Sequence, residues 1–401
     1  MMNRIAADWI VLGDKPPIRD GVVSLRDDGV IASIASGGEA DTRVRGVLMP
    51  GLVNAHTHLE LSYLHHRIPP APSFLEWVRP MLAARAERGH TGEAAILDAA
   101  RKAIQDARAA GTALIGDVTN TLAAVSLLRD AQMPACVFHE VLGFGGQNVD
   151  AQVDSARTAI DALASDDDIR LSLAPHAPYS VAPALFSAIR RDLDEHGSVV
   201  STVHLGESPE EVELLLKGTG PWRSLLEQIG VWNADWQAPK CSPVDYLADM
   251  GFLTGSVLAI HGVQFEGTDL DRLRTLGVTL VSCPRSNRYV GVGSPPLEAF
   301  YAMDVEVAFG TDSLASVDDL SMFSELAEAR RIAPKVPARA LLRSATLTGA
   351  TALGFDDAFG SIEPGKRAAL IAVQVPTHVT DVEEYLVSGV DPDRVSWVEA
   401  A

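Results

Sequence analysis

Val47-Leu48-Met49-Pro50-Gly51-Leu52-Val53-Asn54-Ala55-His56-Thr57-His58-Leu59-Glu60 is an apolar run that opens into His-x-His. On a strand, side chains alternate, so His56 and His58 leave one face while Thr57 leaves the other. Neutral imidazole is the commonest metal-ligating side chain, and two of them at a strand end make half of a metal site. His-x-His alone is a weak signal. Its weight comes from what lies downstream.

Outward from this stretch, short apolar runs alternate with amphipathic segments. The runs are 47–53, 111–118, 135–141, 169–174, 199–204, 256–261, 278–283 and 305–310. Between them, 93–110, 182–196, 269–276 and 321–331 carry apolar residues near helical spacing. Ser180 and Ser321 are candidate N-caps, and Gly111, Gly197 and Gly277 sit where helices should stop. Strand-like runs alternating with helices in this number predict an α/β fold, a (β/α)8 TIM barrel.

Upstream, residues 5–47 are alternating and turn-rich, with Asp20-Gly21 and Asp28-Gly29 reading as hairpin turns. After a helical stretch at 337–353, residues 360–373 read as a turn and a strand, so the last strands rejoin the first. The expected organisation is a small β-sandwich domain from residues 1–49 and 355–401, and a catalytic barrel from residues 50–354. Two stretches read as long loops on the active side. One is 61–90, with Phe74 and Trp77; the other is 206–255, with Trp222, Trp232 and Trp236.

The 401 residues are 47% hydrophobic and 21% charged, as in ordinary soluble globular proteins. A net charge of −20 argues against nucleic acid or an anionic membrane as partner, since both need a basic face. A small-molecule substrate is unaffected by that argument. Cys136, Cys241 and Cys283 are scattered and odd in number, which fits a reducing compartment. With no signal-peptide pattern or bilayer-length apolar run, a cytoplasmic protein is expected.

In a (β/α)8 barrel the chemistry sits at the C-terminal ends of the strands. The first run leads to His56 and His58, and the third ends in His139-Glu140. The fourth leads to His176-Ala177-Pro178-Tyr179, the fifth to His204-Leu205-Gly206-Glu207, and the sixth ends in His261. The seventh leads to Cys283-Pro284-Arg285-Ser286-Asn287 and the eighth to Thr311-Asp312-Ser313. Any one of these histidines reads as structural. Their joint placement at one end of successive strands is hard to reach by accident.

HTH after the first strand, HLGE at the fifth, His at the sixth and GTDS at the eighth resemble the amidohydrolase superfamily. PGLVNAHTHLE, APHAPYS, CPRSN and GSIEPGK match its nucleobase and nucleoside deaminase branch, which includes cytosine deaminases, S-adenosylhomocysteine deaminases and chlorohydrolases. The resemblance covers nearly the whole chain and implies the same barrel with a two-ended β-sandwich. It also implies that His56, His58, His204 and Asp312 hold one divalent metal, zinc before iron, because the donor set does not discriminate sharply. Binuclear members carry a bridging lysine at the fourth strand end, where this chain has Pro175-His176. Glu207 would be the proton shuttle, His261 would contact the attacking water, and Asp312 would accept its proton as well as ligate. These roles suit hydrolysis of an aryl amine, which needs an activated water and a carboxyl group able to move protons. Some members form homodimers, the assembly the resemblance allows.

For substrate contacts the candidates are His176, Arg285, Asn287, Ser313, Trp77, Phe74, Glu60 and Glu140. HTHLELS, PSFLEWV and CPRSNRY most resemble 6-aminodeoxyfutalosine deaminases of menaquinone biosynthesis, whose substrate is an adenine nucleoside bearing a benzoate. A benzoate wants an arginine fork, and Arg285, Arg288, Arg67 and Arg79 are the candidates. Rival readings are a deaminase of S-adenosylhomocysteine, methylthioadenosine or adenosine, then a triazine-type chlorohydrolase, then a non-catalytic barrel scaffold.

Overall fold

The structure, a computed structural model, describes residues 3–87, 93–163, 165–197 and 200–398. Its strands in chain order begin with β1 (Asn3–Ile10), β2 (Ile18–Leu25), β3 (Ile31–Ser36), β4 (Thr42–Pro50) and β5 (Leu52–Thr57). Then come β6 (Thr112–Thr119), β7 (Ala135–Val141), β8 (Ile169–Pro175), β9 (Ser201–Leu205) and β10 (Val257–His261). The series closes with β11 (Leu280–Ser282), β12 (Val307–Phe309), β13 (Leu370–Val373) and β14 (Val395–Val398).

Both chain ends contribute to a six-stranded mixed sheet in the order β14-β13-β4-β1-β2-β3. One of its layers is the cluster of Ile5, Ile10, Val23, Leu25, Leu48 and Leu370. Asp28-Gly29 makes the expected turn, with Gly29 at φ +75° and its N–H donating to the Arg26 carbonyl. Asp20-Gly21 does not turn the chain; it lies inside β2. Gly21 is there because a Cβ would stand 2.4 Å from Cδ1 of Ile10 on the paired strand.

The body of the chain is two parallel four-stranded sheets, β5-β6-β7-β8 and β9-β10-β11-β12. The N–H of His204 donates to the carbonyl of His176 across one seam, and that of Asp312 to His56 across the other. Parallel strands joined by helices in this way form a TIM-barrel-like α/β fold. The apolar run 47–53 is divided between the two parts of the molecule at Gly51. A Cβ at that position would lie 2.6 Å from the Ala113 Cβ and 3.0 Å from the Trp397 ring, so only glycine lets the parts meet there.

Helices Ala94–Ala109, Pro183–Glu195, Gly267–Leu276 and Met322–Ile332 fall where the spacing predicts. Gly277 ends one in the left-handed region at φ +69°. Ser180 is not an N-cap: Ala182 holds that position, and Ser180 bonds His176 instead. The stretch 337–353 is two short helices, Ala338–Ser344 and Leu347–Ala352, parted at Thr346 (φ −134°). Both expected long loops contain helices. The first contains the helix Phe74–Glu87, and the second contains Pro209–Lys217, Pro221–Gln228 and Pro243–Asp249. The last residues of the first loop, 88–90, and Val199 of the fifth run lie outside the described residues. Among the described residues no helix is long and apolar enough to cross a membrane.

Candidate active site

All eight strands of the two parallel sheets present their C-terminal ends to one side, which gathers His56, His58, Glu140, His176, His204, His261 and Asp312. His56, the penultimate residue of β5, is fully buried. Its Nε2 lies 3.9 Å from Oδ1 of Asp312, and Nε2 of His58 lies 3.7 Å from the same oxygen. Asp312 takes a left-handed backbone, φ +63°, just past β12. Its carboxylate is fixed by the Ser313 N–H at 2.7 Å and the Ser286 hydroxyl at 2.6 Å. The His204 ring centre stands 5.0 Å from that of His56 and 5.4 Å from that of His58.

Hydrogen bonds settle which ring nitrogens are free. Nδ1 of His204 lies 3.0 Å from the His176 carbonyl oxygen, which can only accept. Nδ1 therefore carries the hydrogen, and Nε2 keeps the lone pair that a metal needs. At His261 the sense is reversed. The Asn287 amide nitrogen donates to Nδ1 at 3.0 Å, so the neutral ring carries its hydrogen on Nε2, which points at Oε1 of Glu207 3.5 Å away. His204 is prepared to ligate and His261 to donate.

Burial pushes the His56 imidazole well below its usual pKa, and the neighbouring His58, His204, His261 and His176 push it further. His176 and His204 are driven down to about 3, again chiefly by burial. Neutral imidazoles at neutral pH are the form a cation requires. Burial also lifts Glu207 well above the ordinary carboxylate range, with Asp312 and Glu211 adding to it and a Tyr179 hydrogen bond opposing. A bound cation nearby would work against that rise.

Neither ring nitrogen of His56 has a hydrogen-bond partner, although both are buried. Such orphaned polar atoms are costly and call for an explanation. His56, His58 and Asp312 form one set of donor atoms lying within 4.8 Å of each other; a second set joins His56 and His204 with His261, whose nitrogens are already taken up by Asn287 and Glu207. Imidazole and carboxylate donors of this kind suit a divalent ion such as zinc or iron.

Above this floor opens a cavity of about 560 Å³. One wall is a single helix face: Phe74, Trp77, Val78, Met81, Leu82 and Arg85, spaced i, i+3, i+4, i+7, i+8, i+11, all line it. Adjoining it, Tyr179 stacks on Trp222, centroids 4.0 Å apart, with Phe74 meeting Trp222 edge-on at 5.9 Å. Leu82, Leu142, Ile229 and Val231 form an exposed apolar rim.

Residues 47–394 match the amidohydrolase family. The chain belongs to that family. It is 31% identical over 364 residues, 88% of this chain and 75% of the relative, to a 5-methylthioadenosine/S-adenosylhomocysteine deaminase of Teredinibacter turnerae. An aminodeoxyfutalosine deaminase of Deinococcus radiodurans is 30% identical over 329 residues, 79% of this chain and 75% of that one. Among solved structures, an adenosine deaminase from Xanthomonas campestris with bound zinc superposes with a TM-score of 0.82. It is 26% identical, with 98% of this chain and 90% of that one covered. Together these make the chain a hydrolytic deaminase of the amidohydrolase family.

Within this amidohydrolase, His58, His176, His204, Glu207, His261, Asp312 and Ser313 line the cavity, as do Phe74, Trp77 and Glu140. His56 lies buried among them. Three expected substrate contacts are elsewhere. Arg285 does not line the cavity, because Asp319 at 2.8 Å and Glu325 at 3.6 Å hold its guanidinium. Asn287 stands behind His261 and fixes its tautomer. Glu60 accepts from the Thr119 and Thr121 hydroxyls, both at 2.8 Å, and braces the end of β6. Of the other expected arginines, Arg288 pairs with Glu328 and Arg79 bonds Gln228. Arg85, Asn120 and Glu211 are not among the residues the sequence singles out, and Tyr179 is quoted there without a role. Tyr179 lay in the quoted APHAPYS motif, and the signal for Arg85 was its place on the stripe begun by Phe74 and Trp77.

Proposed function

We propose that this amidohydrolase replaces the exocyclic amine of a purine nucleoside by oxygen, releasing ammonia, with 6-aminodeoxyfutalosine as the substrate. The observation that carries the reading is Glu207, a buried carboxyl beside the Nε2 hydrogen of His261 and on the cavity surface shared with His58, His204 and Asp312. The adenine-nucleoside deaminases among its relatives support the purine ring. The relative from Deinococcus radiodurans supports the particular substrate. A cavity of about 560 Å³ with aromatic walls has room for a nucleoside with a substantial appendage.

In this reading His56, His58, His204 and Asp312 hold one divalent ion, zinc ahead of iron. Its contribution is Lewis acidity, which brings the pKa of water toward neutrality. The protein's residues do the rest. Attack on the amine-bearing carbon breaks the ring's aromaticity, so a ring nitrogen must gain a proton. Glu207 gives that proton and recovers one from the attacking water. It then protonates the departing amine, and the added hydroxyl returns its remaining proton to Glu207 as the carbonyl forms and ammonia leaves. His261 donates from Nε2 to the oxygen as it adds, and Asn287 keeps it in that tautomer. Tyr179 and Trp222 offer the flat face against which the base lies. We further propose that the two parallel sheets close as a (β/α)8 barrel of residues 50–354, and that residues 1–49 and 355–401 form the accompanying β-sandwich domain.

The test is ammonia release from metal-assayed protein given 6-aminodeoxyfutalosine, S-adenosylhomocysteine, methylthioadenosine, adenosine and guanine. The highest kcat/KM is expected on 6-aminodeoxyfutalosine. A higher value on another nucleoside keeps the reaction and replaces the substrate. Inactivity on every nucleoside in metal-loaded protein overturns the proposal.

A further inference from the structure

The cavity is sharply uneven in charge. Glu140, Glu207 and Asp312 reach its surface, and most of the remaining wall is apolar or aromatic. Among the described residues that line it, Arg85 is the one arginine or lysine. It closes the helical stripe that otherwise carries Phe74, Trp77, Val78, Met81 and Leu82. A permanent cation at the end of an apolar wall is costly to retain for packing alone, because leucine or methionine would complete the stripe without desolvating a charge.

Two structural duties compete for the guanidinium. One Nη donates to Oδ1 of Asn120 at 3.0 Å, and the same nitrogen lies 3.7 Å from Oε1 of Glu60. The second separation is too long for a hydrogen bond. Two threonine hydroxyls and the Asn120 N–H already serve Glu60's two oxygens, so this ion pair leaves the guanidinium's N–H groups unspent. A guanidinium offers five N–H donors in a flat fork, and Asn120 takes one. With its side chain 34% exposed onto the cavity, the remaining edge is open to a ligand.

We propose that Arg85 is a specificity-determining residue that holds an anionic group on the substrate's appendage, and that the class accepted here is a purine nucleoside whose appendage is aromatic or apolar and ends in a carboxylate. The inference rests on the purine-nucleoside reading and adds the residue that selects within it. The fork matches a carboxylate bidentately. The stripe of Phe74, Trp77, Val78, Met81 and Leu82 along the same helix face gives the hydrocarbon part of the appendage a dry surface. Asn120 fixes the guanidinium in place and is itself held by Glu140, whose Oε2 accepts from its amide at 2.9 Å.

The experiment compares wild type with Arg85→Met and Arg85→Lys on two substrates, 6-aminodeoxyfutalosine and neutral methylthioadenosine, and titrates each protein with benzoate by calorimetry. For Arg85→Met, KM for the carboxylate-bearing nucleoside should rise about ten- to a hundredfold, as for loss of a charged bidentate contact. KM for methylthioadenosine should stay within about threefold, and benzoate affinity should fall about tenfold or more. Lysine keeps the charge without the fork and should recover only part of each loss. Equal losses on both nucleosides would make Arg85 a brace for Asn120 and overturn the proposal, as would unchanged benzoate affinity in a folded Arg85→Met protein. Wild type that turns over neither nucleoside yet binds benzoate through Arg85 would sink the nucleoside reading and leave the anion site standing.

Discussion

The floor of the cavity is polar and is assembled from strand ends: His56, His58, His204, His261 and Asp312 come from four different strands or the residues just after them. The wall is largely apolar and comes from helices between strands, Phe74–Glu87 and, adjoining it, Pro221–Gln228. Floor positions are fixed by the strand lattice, and each side chain has a named partner or an orphaned nitrogen. Wall positions depend on how helices lie over the strands. Their side chains meet through stacking, as in Tyr179 on Trp222. The difference separates two jobs: the floor sets what reaction is possible, and the wall sets what enters.

That division is tested most severely at Glu207. Glu207→Gln keeps the shape and removes the titrating proton, so kcat should fall about a thousandfold, within the usual range of general acid–base effects. Metal content should stay at the wild-type level, because the change spares His56, His58, His204 and Asp312. Full turnover in this variant would show that the floor does not move protons through Glu207. His204→Ala is the counterpart: metal content and turnover should fall together, and normal metal occupancy would remove His204 from the donor set.

A smaller effect is expected at Glu211, which touches no cavity space yet controls the floor. Its two carboxylate oxygens accept the N–H groups of Gly206 and Glu207 at 3.0 Å each and so hold the chain that carries the shuttle. Burial raises its pKa to about 7, with those backbone bonds opposing. The folded state therefore binds this proton more tightly than the unfolded chain, and the stabilisation is full below about pH 4.5 and is lost as pH rises toward 7. At about 1.4 kcal/mol per pKa unit the loss is on the order of 3 kcal/mol. Glu211→Gln cannot titrate, so urea unfolding of the variant between pH 4.5 and 7 should lack that downward contribution. An unchanged slope would mean that Glu211 keeps its charge in the fold. Since glutamine can accept on only one of its two terminal atoms, kcat should also fall, by about tenfold for a neutral hydrogen bond lost from the shuttle's support.

The floor was legible in the sequence for a physical reason. Parallel strands in such a fold end on one side, so an inward-facing histidine or acid at the end of an apolar run converges with the others wherever the helices lie; His139, at the end of β7, faces the Thr119 carbonyl instead and does not line the cavity. That logic picked out His56, His204, His261 and Asp312 without any knowledge of their separations. It failed where a side chain's direction depends on local pairing. Arg285 sits one residue from Ser286, which bonds Asp312, yet its own side chain leaves in another direction toward Asp319 and Glu325. Glu60 follows the His-x-His motif and still turns into Thr119 and Thr121 rather than the cavity. The run 47–53 reads as one strand with a domain boundary expected between residues 49 and 50; the two strands part at Gly51, where Ala113 and Trp397 approach too closely for a Cβ. The wall was least legible. Two stretches, the first rich in proline, read as loops, although in the second of them Pro209, Pro221 and Pro243 each stand at the first turn of a helix, where proline is tolerated.

The smallest effect separates packing in the wall from recognition by it. Phe74 is 6% exposed and meets Trp77, Tyr179 and Trp222, but none of its neighbours is charged in these contacts. Phe74→Leu removes a ring and leaves an apolar residue, so the cost in stability should be about 1–2 kcal/mol, below the range for truncation to alanine. KM should rise about threefold on every nucleoside, with kcat unchanged, because the lost contact is made equally by bound substrate and transition state. The contrast with Arg85 is the point of the measurement. A wall that merely packs gives the same KM increase for carboxylate-bearing and neutral nucleosides, and a wall that selects gives different ones. If Phe74→Leu lowers kcat and leaves KM alone, Phe74 acts on the reacting geometry through Tyr179 and Trp222, and the boundary between floor and wall would have to be drawn above those two rings.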